Sequence, residues 1–361
     1  LFVLTSGIIF LDSISHVPFA FLRFREKSKQ FINIKIVNVL LTFGLNIYFV
    51  AILKKGISGI FISNFIASLV TTIILYLLIL PSVRFLFDFK KAKSMVNFGI
   101  PFIPAGLSAT TMQMIDRYIL KNLTDISTVG IYSAGYKLGI FMLLITSAFY
   151  YAWQPFFLKM GKKEESRPIF ARVFTYFIAI TSFLWILVSA FIHELIHFKL
   201  FGFSILGPEY YDCESIIPII LLAYIFQGVY LNFLPGIYFE KKTKYITIFC
   251  GLGALVNVLL NFILIPLFGI LGAAFATLAG FVVLSFSTYW VSQKLFYVPY
   301  EWKRVLIIVF AWTISSFLIF ISSGSILIKL LAVSLLPIFL TLLRFFEKEE
   351  LNFLKNRGKS A

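Results

Sequence analysis

Two apolar segments that carry charge in their interior decide how this chain folds: NFGIPFIPAGLSATTMQMIDRYIL (97–120) and VGIYSAGYKLGIFMLLITSAFYYAWQP (129–155). Each is long enough to cross a bilayer as a helix, which takes roughly 20 apolar residues. In the first segment, helical spacing predicts a polar stripe along one face, formed by Gly106, Thr110, Gln113 and Arg117. The second segment holds Lys137 well inside an apolar run.

Lys137 is predicted to face protein or water rather than lipid. An unpaired charge in hydrocarbon costs at least ~2.5 kcal/mol, so such a side chain is rarely left among acyl chains. Gly135 and Gly139 form a GxxxG pair suited to close helix packing, and each is rotated about 200° from Lys137 around the helix. Two interpretations stay open. The lysine either neutralises a carboxylate or snorkels, or it lines a cavity for an anionic solute.

The composition indicates an all-α integral membrane protein. Hydrophobic residues make up 60% of the chain and charged residues 13%, and the mean hydropathy is +0.95, which leaves too little polar surface for a soluble globule. The net charge of +16 is therefore attributed to residues flanking membrane spans, not to nucleic-acid binding. Cys213 and Cys250 lie towards opposite ends of their helices, which argues against a disulfide. We predict no metal and no cofactor.

The apolar runs predict about eleven membrane spans. With links alternating between sides, 24 of the 32 basic residues fall on one side, which the positive-inside rule makes cytoplasmic. The tail at 344–361 is then cytoplasmic and Leu1 lies outside. Because Leu1 opens inside an apolar run without a basic leader, we expect a truncated chain without a signal peptide. The predicted spans are 2–22, 31–53, 57–80, 97–120, 127–155, 170–196, 214–238, 245–266, 269–292, 304–322 and 325–343.

An internal repeat relates the segments 24–68 and 239–278. Ser28-Lys29 matches Thr243-Lys244 and Leu45-Asn46 matches Leu260-Asn261, both at an offset of 215. The glycine turns GIxG at 56–59 and 269–272 match at an offset of 213, so a two-residue gap separates the two blocks. Chance resemblance between apolar helices is the alternative. The matched polar positions favour a duplication with parallel membrane orientation.

The repeat also predicts the organisation of the intact protein. The second copy begins three spans after the helix near Asn97, so each half would contain six spans and the visible first half only its last three. We expect fourteen helices in all: two pseudo-symmetric six-helix lobes around a central cavity, and two more. On this scheme 1–80 holds the last three helices of the N-terminal lobe, 97–292 forms the C-terminal lobe, and 304–343 supplies two additional helices.

Several short stretches resemble those of known membrane proteins. FGIPFIPAGL (98–107), DRYIL (116–120), VGIYSAGYKLG (129–139) and AFYYAWQPF (148–156) resemble the Wzx-type polysaccharide flippases of the multidrug/oligosaccharidyl-lipid/polysaccharide exporter superfamily. The resemblance implies a non-enzymatic, alternating-access protein of the bacterial cytoplasmic membrane. It implies transport of an undecaprenyl-pyrophosphate-linked oligosaccharide for O-antigen, capsule or exopolysaccharide synthesis, with a polymerase and a chain-length regulator as possible partners.

The charges inside the spans provide candidate sites for such a head group. A diphosphate in a low-dielectric cavity needs fixed cations. We therefore predict an anionic-head-group site formed by Lys137, Arg117, Lys121 and Gln113. Pro101 and Pro104 remove backbone donors and predict a bend, which acts as a gate or is a static kink.

Three further groups are candidates for ion coupling. Asp12 lies in the middle of a span with His16 one turn later, and either takes up a proton or pairs with a neighbouring helix. Asp116 either couples transport or forms a salt bridge with Arg117.

Three other functions remain as alternatives. His193-Glu194-Leu195-Ile196-His197 is an HExxH sequence, which an intramembrane zinc metalloprotease would use. A third ligand would be Glu209, Asp212 or Glu214, because Phe203 stands where a further histidine would be needed. A multidrug or small-molecule antiporter of the same superfamily is the closer alternative, although the interior is basic. A polymerase or ligase would need a larger outer loop than 197–213 provides.

Overall fold

The computed structural model describes residues 1–82, 88–200, 203–204, 206–321, 324–342 and 345, and these residues are almost entirely helical. Among them, eight helices are long and apolar enough to cross a membrane. The expected all-α membrane class is therefore confirmed. The chain divides into two compact units, Leu1–Ala92 and Lys93–Ala361.

Three long helices make up most of the described part of the first unit. α1 spans Phe2–Phe24, α2 spans Ser28–Asn46 and continues into a π-helical stretch at Ile47–Ile52, and α3 spans Gly56–Ile79. A 3-10 turn at Leu80–Ser82 follows. Small and hydroxylated residues on the buried face of α3 let the other two helices approach it. The hydroxyls of Ser15 on α1 and Thr72 on α3 share a hydrogen bond of 2.8 Å, so polar contacts as well as packing join these helices.

The break before the next long helix lies at the predicted bend. A short helix, α4 (Phe89–Gly99), ends there, and α5 (Phe102–Leu123) begins two residues after Ile100. The expectation of one helix starting at Asn97 with two prolines in its interior is wrong. Pro101 precedes α5 and Pro104 lies in its first turn, where a missing N–H leaves no helical hydrogen bond unmade.

The second unit contains the remaining elements. α6 and α7 are its longest uninterrupted helices. Two strands of two residues each follow α7 and pair antiparallel, with Lys199 opposite Ser204. The elements after α5 are α6 (Ile126–Met160), α7 (Ser166–His197), β1 (Lys199–Leu200), β2 (Phe203–Ser204), a 3-10 helix (Pro208–Ile216), α8 (Ile217–Asn232), α9 (Pro235–Phe239), α10 (Lys244–Leu295), α11 (Trp302–Ile321) and α12 (Ile326–Leu342).

Helix α10 folds back on itself at Gly269. This residue has φ 54° and a non-helical backbone, so the 52 residues of α10 form two arms that correspond to the predicted spans 245–266 and 269–292. The arms meet at Gly253 and Gly280, where a Cβ on either glycine would lie 2.9 Å from the carbonyl oxygen of the other. The contact between two backbones requires glycine at both positions.

The glycine face of α6 packs as predicted. A Cβ on Gly135 would lie 2.8 Å from the Ile216 side chain, and one on Gly139 would overlap Ile220 of α8. Lys137, on the other side of the helix, is exposed. The prediction that the glycines pack one way while the lysine points another is therefore confirmed.

The basic turn that opens each copy of the repeat has the same backbone conformation in both. Glu26 and Lys241 occupy matching positions of the two turns and have φ of 57° and 51°. In the first turn the Lys27 N–H donates to the carbonyl of Leu22, and in the second the Lys242 N–H donates to the carbonyl of Ile237, both at 3.0 Å. These matching turns support the duplication.

The glycine turns match as well, at their own offset. Gly56 and Gly269 have φ of 55° and 54°, a region that glycine occupies without strain. The glycine three residues later abuts the preceding helix in each copy: Gly59 meets the backbone of Phe49, and Gly272 that of Leu264. The first copy is two residues longer between these contacts, and the π-helical stretch lies there. A π turn accommodates inserted residues.

Several wider predictions are not decided by these features. The unit boundary falls between the predicted regions 1–80 and 97–292, and α11 packs on α12 and on α7. Six helices per lobe, fourteen in the intact protein, and a central cavity stay predictions. The predicted tail at 344–361 lies outside the described residues apart from Phe345.

Ion pairs agree with the predicted alternation of the links. Lys162 and Glu240 belong to two different links on the predicted cytoplasmic side, and they pair. Glu194 and Lys329 both lie near predicted outer helix ends, with Nζ and Oε1 2.7 Å apart. Each contact would be impossible if a single span between its own two residues had been miscounted.

Candidate functional site

A capped turn between α5 and α6 brings the charged residues Asp116 and Arg117 of α5 beside the first turns of α6. Asp125 precedes α6 and its carboxylate accepts hydrogen bonds from the N–H of Thr128 at 2.8 Å and from the Thr128 hydroxyl at 3.1 Å. These bonds lower the pKa of Asp125 and satisfy a free N–H of the first helical turn. The cap fixes where α6 starts and which of its residues face α5.

Asp116 is the buried centre of this site. Its carboxylate accepts a hydrogen bond from the Tyr132 hydroxyl and one of 2.8 Å from the backbone N–H of Arg117. The Arg117 guanidinium lies 3.4 Å from the carboxylate oxygen Oδ1. The side chain of Asp116 is fully buried, so the alternative that it forms a salt bridge with Arg117 is confirmed. A coupling role stays a prediction.

Arg117 is held on three sides. Its guanidinium lies 4.2 Å from the centre of the Tyr136 ring and donates to the backbone carbonyl of Gln113. The side chain remains 28% exposed. Because Asp116 balances its charge, Arg117 contributes less to an anion site than an unpaired arginine would.

Two tyrosines of α6 contact the charged residues of this site, and the sequence analysis did not predict them. Tyr132 and Tyr136 are four residues apart and lie on the same buried face of α6 as Gly135 and Gly139. The signal was present, since aromatic residues at i and i+4 beside a GxxxG pair share one helix face. What the spacing does not reveal is that Tyr132 donates to Asp116 and that Tyr136 packs against the Arg117 guanidinium.

Lys137 and Lys121 are exposed and form no ion pair within the described part of the chain. Lys121 lies in the last turn of α5. The exposed face that begins at Lys137 continues along α6 at helical spacing with apolar residues, namely Phe141, Leu144, Ala148 and Tyr151. Of the predicted head-group site, the structure brings Gln113 into contact with Arg117.

The first unit contains a second polar site inside its own three-helix bundle. A cavity of about 270 Å³ is lined by residues of α1, α2 and α3. Asp12 accepts a hydrogen bond of 2.8 Å from the Ser68 hydroxyl, and His16 lines the same cavity one turn later. The other polar residues of its lining are Ser15, Lys35, Asn38, Thr42, Asn64 and Thr71.

Lys35 was not predicted to belong to a site. Its ammonium lies 4.4 Å from the centre of the Phe19 ring and lines the cavity with Asp12 and His16. An intramembrane lysine is by default a functional candidate. The sequence placed it inside a span, and only the packing of the helices shows which groups it joins.

Two hydrogen bonds join the break between α4 and α5 to the beginning of α10. The hydroxyl of Thr247 donates to the carbonyl of Pro101, and that of Thr243 donates to the carbonyl of Phe98 at 3.1 Å. A movement of the break would therefore involve the start of α10. The gating role of Pro101 and Pro104 stays a prediction.

The HExxH sequence does not form a protease site. Glu194, which would be the general base, pairs with Lys329 of α12. His193 instead contacts Glu214, with Nδ1 and Oε2 3.0 Å apart. Because Lys329 holds the Glu194 carboxylate, Glu194 is not placed to take a proton from a water bound to a metal at the histidines. The structure therefore does not support the protease alternative.

These features define a multi-pass helical membrane protein with charged groups inside both units. A family model described as polysaccharide biosynthesis protein matches residues 1–203, which is more than half of the chain. The chain therefore belongs to this family, as its motifs suggested. No curated protein matches it in sequence.

The fold is shared with two kinds of solved membrane protein. A Vibrio cholerae MATE transporter, VcmN, in mutant form superimposes with a TM-score of 0.66 at 16% identity, covering 80% of this chain and 65% of that one. Its bent form gives 0.59 at 15% identity, covering 73% and 61%. The lipid II flippase MurJ in an inward closed conformation gives 0.57 at 17% identity, covering 94% and 74%. The chain spans less than two thirds of the length of the VcmN structures.

Proposed function

We propose that this protein is a flippase that moves an undecaprenyl-pyrophosphate-linked oligosaccharide across the bacterial cytoplasmic membrane during surface polysaccharide synthesis. Its family and its fold support this proposal. The observation that carries it is Lys137, an exposed cation about three turns inside a helix long enough to span the membrane, without an ion-pair partner among the described residues. A lysine in that position is stable only where water, protein or an anionic ligand solvates it.

The proposed mechanism assigns different tasks to the two units. Lys137, Lys121 and the partly balanced Arg117 attract the pyrophosphate while the lipid tail stays in the bilayer. Asp12 and His16 in the first unit take up the coupling ion during alternating access. The polymerase and chain-length regulator of the pathway would act on the delivered unit.

A direct test is complementation of a flippase-deficient strain with variants of the full-length gene. Lys137→Ala and Lys137→Glu are expected to abolish polymer display, because the pyrophosphate loses its cation, while Lys137→Arg retains part of it. Lys159→Ala, at the predicted cytoplasmic end of the same helix, is the matched control and should complement. Normal display by Lys137→Glu at wild-type membrane levels would remove the anion-site proposal.

A small-molecule antiporter is the second candidate, because the MATE fold is shared and Asp12 lines a cavity in the first unit. Such a protein would lower the susceptibility of its host to cationic compounds without affecting polymer display. Drug susceptibility measured in the same complementation strains distinguishes the two functions.

A further inference from the structure

The outer end of α7 carries a group of three potential metal ligands that the proposed function does not use. His193 and His197 are four residues apart on α7, and their ring centres lie 4.2 Å from each other. Glu214 comes from the 3-10 helix that leads into α8. One ligand atom from each of these three residues lies within 4.8 Å of the other two.

The orientation of His197 suits metal binding. Its Nδ1 lies 2.9 Å from the backbone carbonyl of His193. A carbonyl only accepts hydrogen bonds, so Nδ1 carries the proton and Nε2 keeps its lone pair. The Tyr211 ring, whose centre is 4.1 Å away, packs against the imidazole. A metal-binding histidine in proteins is commonly held through its other ring nitrogen in this way.

The third ligand differs from the one that the HExxH motif suggests. Glu194 is paired with Lys329 and does not belong to the group. Glu214 faces His193 instead, with 3.0 Å between Oε2 and Nδ1. The side chain of His193 is 56% exposed and that of Glu214 34% exposed, so an ion and a water molecule have access.

We propose that His193, His197 and Glu214 bind one Zn²⁺ ion. Two imidazoles and a carboxylate form a donor set that favours zinc over Mg²⁺ or Ca²⁺, which prefer oxygen ligands. Tetrahedral zinc with bonds of about 2.0–2.1 Å needs donor atoms roughly 3.4 Å apart, which small side-chain rotations of this group supply. The ion would join the end of α7 to the 3-10 helix across the intervening hairpin.

This site is structural rather than catalytic, because Lys329 engages Glu194, the motif glutamate that would act as a base. Zinc that binds only the folded protein raises its unfolding temperature. The proposal is independent of the transport proposal, since no residue of the group belongs to the Lys137, Arg117 or Asp12 sites.

The test is zinc binding by the full chain, purified in detergent and stripped with a chelator. We expect one zinc per chain by mass spectrometry of the metal, and a rise in the unfolding temperature when zinc, but not magnesium, is added. His197→Ala and Glu214→Gln should each weaken binding at least about tenfold. Glu194→Gln keeps the ligands but changes the HExxH motif, and His16→Ala removes the remaining histidine; both controls should bind normally.

Cobalt substitution tests the site without any variant. Co²⁺ in a tetrahedral site of the unmodified protein should give the intense visible absorption typical of that geometry, and added zinc should abolish it. Less than one zinc per chain, retention of binding in a His197→Ala/Glu214→Gln double variant, or a weak octahedral cobalt spectrum would each overturn the proposal.

Discussion

The two copies of the repeat, 24–68 and 239–278, have the same backbone turns but different interiors. In the first copy Lys35 and Asn38 line a polar cavity. The matching positions of the second copy are Cys250, which is buried in an apolar cluster, and Gly253, which packs against Gly280. A close helix crossing therefore occupies the place that the cavity takes in the first copy. The comparison shows that the turn residues keep the same backbone conformation while the side chains facing the interior differ.

The largest expected difference between the copies concerns the second glycine of each GIxG turn, which is Gly59 in the first copy and Gly272 in the second. Gly272→Ala should destabilise the protein by roughly 3 kcal/mol, because the methyl group would overlap the backbone of Leu264. Gly59→Ala should cost only about 1 kcal/mol, since a Cβ there lies 3.1 Å from the backbone of Phe49. Thermal unfolding followed by circular dichroism measures both. Equal losses would show that the glycine contacts of the two copies are equivalent.

A smaller contrast is expected between the aspartates of the two units. Asp116→Asn should lower stability by roughly 2 kcal/mol, because it leaves the partly exposed Arg117 without a counter-charge. Asp12→Asn should lower the free energy of unfolding by less than about 1 kcal/mol. Asp12 faces a cavity, and the asparagine oxygen can still accept the hydrogen bond from Ser68, although without a negative charge. Transport should nevertheless fall with Asp12→Asn if Asp12 couples ion uptake.

The control for the Asp116 prediction is the double variant Asp116→Asn/Arg117→Gln. With both charges removed, part of the lost stability should return, as a double-mutant cycle of thermal unfolding would show. A double variant less stable than the sum of the single variants would contradict the ion-pair interpretation. Membrane insertion measured alongside separates loss of folding from loss of transport.

The smallest effect concerns the basic turns themselves. Glu240 pairs with Lys162, and this hydrogen bond and charge lower the pKa of Glu240 below its ordinary 4.5. The corresponding residue of the first turn is Arg25. A lowered folded-state pKa means that the pair stabilises the protein above the ordinary value and that this contribution disappears as the pH falls below it.

Glu240→Gln should therefore lower the unfolding temperature slightly at about pH 7, and this deficit relative to wild type should disappear once the pH falls through the lowered pKa of Glu240. Both side chains are partly exposed, so the effect is small and should shrink in high salt. Arg25→Gln in the first turn is the comparison variant and should show no such pH dependence. If Glu240→Gln lowered the unfolding temperature more at low pH than at neutral pH, the lowered pKa of Glu240 would be contradicted.

Much of the fold could be predicted because the bilayer imposes strong constraints on a sequence. The span limits at Phe2–Phe24, α6 and the two arms of α10 agree with the apolar runs to within a few residues at most ends. The repeat was also visible, since left-handed turns and close contacts favour glycine at Gly56 and Gly269. The start of α5 was placed wrongly because apolar composition does not distinguish a helix interior from a proline-led first turn.

The candidate sites were predicted less completely. Lys137 and Arg117 were identified because a charged residue inside an apolar run can be recognised from the sequence without knowing the fold. The sequence analysis did not identify Tyr132 as the partner of Asp116, and it did not place Lys35 in the cavity that Asp12 lines. Each of these contacts joins residues of different helices. The pairing of Glu194 with Lys329 joins residues far apart in the sequence, and no local pattern indicates it.

Composition and residue spacing are enough to predict a helical membrane protein, the course of most of its helices, an internal repeat and the residues that carry charge into the bilayer. Burial in lipid fixes those properties through composition and spacing, both of which are local. The folded chain is needed to show that Tyr132 of α6 donates to Asp116, that Lys329 of α12 pairs with Glu194, and that Glu214, rather than Glu209 or Asp212, lies beside His193 and His197. The reason is physical: a charge in a membrane is satisfied by whichever helix packs beside it, and helix packing depends on the whole chain.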